Sequence, residues 1–144
     1  MSDLVTRFED LTLPASEFHH AQHVQVAWEY LREEASPADA LRRFVDNLRR
    51  FASHNGSPQL YHETITWAYL VLIRERMALA SHEDWTSFAD DNADLLTWKP
   101  SVLDRYYTRE VLYSDLARRV FVLPDRPQVQ FIPREDAGSL VASR

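Results

Sequence analysis

Ile65-Thr66-Trp67-Ala68-Tyr69-Leu70-Val71-Leu72-Ile73 is the stretch on which the fold turns. Nine residues pass with only one small polar side chain, and charge returns abruptly at Arg74-Glu75-Arg76. Extended over Leu60 to Ala80, the stretch predicts a helix that is apolar nearly all round. A helix without a polar face is normally the central one of its domain. It is also far short of the ~20 apolar residues that a membrane span needs, so no membrane partner is expected.

Working outward, the segment before it begins Ser36-Pro37-Ala38-Asp39. Ser36 can cap, Pro37 suits the first helical position, and Asp39 favours the positive end of the helix dipole. Leu41, Phe44, Val45, Leu48 and Phe51 then form one apolar stripe, which ends near His54-Asn55-Gly56. Further upstream, Val24, Ala27, Trp28 and Leu31 follow helical spacing in a segment that begins at Ser16 or His19 and runs to Glu34. Residues 1–15 read as a loose start. Downstream, Ser81 to Leu96 predicts a shorter helix with Trp85 and Phe88 inward, broken at Lys99-Pro100. Ser101 to Tyr107 and Ser114 to Phe121 add two short helices. From Pro124 onward the chain reads as a Pro-rich tail, with Val129 to Ile132 as an extended apolar strip. The expected architecture is all-α: an up-down bundle of about four main helices, one or two short ones and the tail, in a single domain over residues 1–144.

Composition agrees with this class. The chain has 144 residues, two glycines and no cysteine. Two glycines are too few for a Gly-rich phosphate loop or a dinucleotide fingerprint, which need several at fixed offsets. Without cysteine there is no disulfide, thiolate metal site or cysteine nucleophile. The net charge of -6 comes with no basic stripe, so nucleic acid is not an expected partner. Arg42-Arg43 and Arg49-Arg50 read as a solvated helix face. The N-terminal ten residues lack the apolar core of a signal peptide, and a cytoplasmic location is expected. Lys99 is the only lysine among sixteen basic residues, a bias expected of a GC-rich bacterial genome.

The histidines carry the functional expectation. Short connections make successive helices antiparallel, so the first and third main helices begin at one pole, where the second ends. His19, His20, His23, His54 and His62 should gather there, with His82 alone at the far end and on the surface. His20 and His23 are i, i+3 on one face, and the stripe through Val24, Ala27 and Leu31 turns them inward and leaves His19 outward or at the rim. Helix N-termini disfavour imidazolium, and a neutral ring is the form that binds metal or acts as a base. His20, His23 and His62 are therefore the expected metal ligands, in the manner of an open three-histidine zinc site. With a carboxylate added they would equally suit iron, nickel or copper. Glu63 is the expected catalytic proton shuttle or a carboxylate that orients a metal ligand, Glu29 a deeper carboxylate and Thr66 a minor polar contact. A metal-dependent hydrolase or oxidative enzyme acting on a small molecule follows. Two rivals stand beside it. One is a non-catalytic module whose aromatic interior or Arg42/Arg49 face docks a small molecule or a protein. The other is a structural homodimer built on the strip at 129–132.

Phe18-His19-His20-Ala21-Gln22-His23, then Ala27-Trp28, then Tyr61-His62-Glu63-Thr64, resemble a group of small helical bacterial proteins with an F-x-H-x-x-H … Y-H-x-T pattern. The similarity extends through Ser101-Val102-Leu103, Tyr106-Tyr107, Ala117-Arg118-Arg119 and Phe121-Val122, and so covers residues 18 to about 125. By position it selects the same three histidines, and it implies no particular activity. In plan the chain is also similar to metal-dependent bundles of the DinB type, which hold a three-histidine site, but it lacks their late H-x-x-x-H.

Overall fold

A computed structural model describes residues 1–128 and shows an all-α protein. The strip expected at 129–132, and the dimer built on it, lie outside the described residues. Eight α-helices follow one another among the described residues: α1 (Asp3–Glu9), α2 (His20–Glu33), α3 (Pro37–His54), α4 (Glu63–Leu79), α5 (Trp85–Asp91), α6 (Ala93–Leu96), α7 (Arg109–Leu112) and α8 (Asp115–Arg119). None is long and apolar enough to cross a membrane.

Local chemistry sets the helix starts. The Ser36 hydroxyl accepts the Asp39 N–H, with Pro37 in the first turn of α3. Asp84, Thr108 and Ser114 cap α5, α7 and α8 in the same way. Each such cap satisfies one of the N–H groups that a helix start leaves without an intrahelical acceptor. Beyond α3, Gly56 takes φ +73°, a left-handed conformation that glycine adopts without steric cost. The chain then passes a 3₁₀ turn at Pro58–Leu60 into α4.

Two expectations are corrected. Residues 1–15 are not loose. Ser2 caps α1, and Val5 and Phe8 are completely buried. The helix is tied down at both ends. Ser2 donates from its backbone N–H (3.1 Å) and its hydroxyl (2.7 Å) to Glu29 of α2. At the other end, Glu9 accepts from Tyr30 (2.6 Å) and from Arg43 (2.9 Å). Glu29 is thus an anchor for the N-terminus rather than a deep carboxylate of the histidine pole. Arg43, expected on a solvated face, also pairs with Glu33 and Glu34 and lies over the Tyr30 ring.

The second correction concerns the centre of the fold. α2 is the surrounded helix, packed by α1, α3, α4 and α6. α4 packs on α2, α3 and α8 and leaves Val71 59% exposed. Its outer apolar face is partly covered instead by the segment after α8, where Phe121 stacks on Trp67 at 5.3 Å. An apolar outer face therefore reflects a late helix folded back onto it, not a central position.

Candidate functional site

The histidine pole is a cavity. It measures about 580 Å³ and is walled by residues from the start of α2, the end of α3, the start of α4 and the α7–α8 segment. Phe18, Phe44, Leu48, Phe51, Ile65 and Tyr69 supply most of the apolar wall. Phe8 lies behind this wall, stacked on Phe18 at 4.7 Å and tilted against Phe51 at 5.3 Å, and Phe18 and Phe51 meet at 4.9 Å. His20, His23 and His62 all line the cavity, and His19 is exposed at the start of α2. The expected convergence of helix ends thus holds for these three rings. His54 is exposed on the last turn of α3.

Each ring has its own partner. His62 is buried at the N-cap of α4. Its Nδ1 accepts the Ile65 N–H (3.1 Å), which makes Nε2 the protonated nitrogen, and Nε2 donates to the Leu112 carbonyl (2.7 Å). Both nitrogens are therefore committed. The ring is a structural clamp that caps one helix and holds the end of α7 against it. His20 Nε2 meets the Leu95 carbonyl (2.8 Å), and the ring lies against Tyr69 and Trp98. His23 Nδ1 meets the His19 carbonyl (2.8 Å), and its ring stacks on Phe18 at 4.0 Å.

A carbonyl can only accept, so the facing nitrogen must carry the proton. In the neutral rings this leaves His20 Nδ1 and His23 Nε2 as acceptors, with no partner among the described residues. The rings are neutral at physiological pH. Burial pushes all three below the ordinary imidazole range, with His23 held at about 4. Carbonyl bonds oppose the shift and are outweighed. The consequence for stability has a definite sign. Between about pH 6.5 and about pH 4 the unfolded chain takes up a proton at residue 23 that the folded chain refuses. Stability should therefore fall as pH drops through that window, and the His23→Gln variant should show a shallower fall. Melts across the window, with NMR titration of the His23 ring protons, check this. A ring titrating at its ordinary value would contradict it.

A three-histidine metal centre does not fit this arrangement. His62 has no lone pair to give without uncapping α4 and releasing Leu112. Among the described residues no group of three or more histidine, aspartate or glutamate side chains is placed to hold a metal ion. Glu63, the expected proton shuttle, is not on the cavity wall. Its carboxylate accepts from Tyr61 (2.5 Å) and faces Arg49 at 4.0 Å. Thr66 lines the cavity, but its hydroxyl donates to the His62 carbonyl (2.7 Å).

Several wall residues were not legible by helix counting. Trp98 and Tyr113 reach the cavity from segments far along the chain, and both remain more than a third exposed, as does Leu60. Arg118 of α8 reaches the wall as well. No local sequence signal places these: Tyr113 and Arg118 depend on how α7 and α8 fold back, and Trp98 on the segment that follows α6. His82 departs from expectation in the other direction. Its side chain is 6% exposed, paired with Asp91 at 2.7 Å, and its Nδ1 is buried without a partner. Comparison with protein-family models, with curated proteins and with solved structures gives no match to this chain.

Proposed function

We propose that the protein binds a small, largely apolar molecule in the cavity between the starts of α2 and α4, with His20 and His23 accepting hydrogen bonds from it. The observation that carries this is the cavity itself. At about 580 Å³ it falls in the size range of small-molecule sites, which are mostly apolar with a few polar groups that fix orientation. Here those groups are two neutral imidazoles, each with one open acceptor nitrogen. The apolar wall continues outward into Leu60, Trp98 and Tyr113, large side chains left exposed to solvent. Exposed apolar surface that borders a pocket is characteristic of binding sites.

Binding accounts for the histidines better than acid–base catalysis does. A general base works best with a pKa near the operating pH, and His23 sits near 4. A desolvated neutral imidazole is nonetheless a good acceptor for an O–H or N–H group on a ligand.

Naphthol, with an aromatic body and one O–H donor, is a suitable probe. An NMR titration should give saturable shifts at residues around the cavity and a micromolar to low-millimolar affinity. The Ala52→Trp variant fills the cavity from α3. It should lose that affinity while keeping the helical circular dichroism of the parent. Unsaturable shifts, or shifts spread over surfaces away from the cavity, would refute the proposal.

A further inference from the structure

We infer that the ligand of this cavity is a monoanion, an apolar body that carries a carboxylate read by Arg118 as well as the O–H or N–H that His20 and His23 accept. This rests on the reading of the cavity as a small-molecule site and adds the class of molecule. The cavity wall contains no aspartate or glutamate, and with its imidazoles neutral its single formal charge is Arg118.

Arg118 is an exposed residue whose guanidinium has one tether among the described residues. Its Nη1 donates to the Gln59 carbonyl (2.7 Å), which ties α8 to the 3₁₀ turn before α4. Among the described residues no carboxylate pairs with it. Three other arginines are neutralised by acids, whereas Arg50 resembles Arg118 in donating to a backbone carbonyl but is not on the cavity wall. Arg119, next in the chain, pairs with Asp115 at 2.8 Å, Arg76 pairs with Asp94 at 2.8 Å, and Arg43 pairs with three glutamates. Burial is the main cause that lowers the pKa of His62, and the Arg118 charge acts in the same direction.

A carboxylate entering an apolar site needs a partner for its charge, since desolvation without one is costly. A guanidinium with unused N–H donors supplies that partner in a planar, bidentate geometry. A cationic ligand would meet the same charge as repulsion, with no acid on the wall to offset it.

Three naphthalene derivatives of one shape, each with a ring hydroxyl for the histidines, provide the test: naphthoate, naphthylmethanol and naphthylmethylammonium. Their affinities are measured by calorimetry for the parent protein and for Arg118→Gln, which removes the charge. Naphthoate should bind the parent about tenfold more tightly than the alcohol, and the ammonium least tightly of the three. The preference for naphthoate should fall to near unity in Arg118→Gln, persist in Arg119→Gln, and weaken with added salt. If the alcohol binds the parent as tightly as naphthoate, the anion inference fails and the small-molecule reading stands. If the preference survives in Arg118→Gln, Arg118 is not the reader of the charge. If none of the three binds saturably, the small-molecule reading itself falls, and the inference with it.

Discussion

Replacing His62 with alanine should cost about 2–4 kcal/mol of stability, and the loss should not depend on metal. Two effects combine. The Ile65 N–H loses its cap, an effect of about 0.5–2 kcal/mol. The Leu112 carbonyl, on a residue 2% exposed, loses its donor, at about 1–3 kcal/mol. For a chain of this size the melting temperature should drop by about 10 °C. His62→Asn should recover roughly 1 kcal/mol, because asparagine caps well but is too short to reach Leu112. Chelator should leave the melting curve of the parent protein unchanged. A metal-held pole would behave otherwise, since a bound ion stabilises only the native state. Thermal melts of the two variants, and of the parent with and without chelator, decide the matter. A loss below about 0.5 kcal/mol in His62→Ala, or a chelator-sensitive parent, would contradict the clamp.

Phe8→Ala should be more costly still, at about 3–5 kcal/mol, the range for deleting a buried aromatic ring. Phe8 is 1% exposed, stacks on Phe18 and packs tilted against Phe51, both of which wall the cavity. The ring therefore docks α1 and backs the site together. Denaturant unfolding at constant m-value measures the cost, and naphthol affinity should fall in the same variant as Phe18 and Phe51 lose their support. A cost under 1 kcal/mol would mean that α1 contributes little to the core.

These two positions also mark where sequence reading reaches its limit. α3 was legible because its signals are local: Ser36, Pro37 and Asp39 specify the start, and Asn55-Gly56 the end. α1 carries an equally local cap at Ser2 and an i, i+3 apolar pair at Val5 and Phe8, but seven residues cannot hold a helix alone. Glu29, Glu9 and Arg43, remote in sequence, decide that it forms. The histidine pole was legible as a place, because His20, His23 and His62 do line one cavity. Its chemistry was not, because a histidine at a helix start can cap as readily as it can ligate. For His62 the choice is made by Leu112, fifty residues later. The central helix was misassigned for a related reason. The apolar outer face of α4 awaits Phe121 and α8, and nothing in the stretch 65–73 announces them. Arg118 stands in an unremarkable basic pair, and only the fold separates it from Arg119.

Intermolecular NOEs between naphthoate and methyl groups of the protein test the central claim most directly. Binding in the cavity predicts NOEs from the ring protons to Val24, Leu48 and Ile65, all on its wall. NOEs confined to Val71, Leu79 and Leu123, apolar side chains exposed elsewhere on the surface, would contradict it.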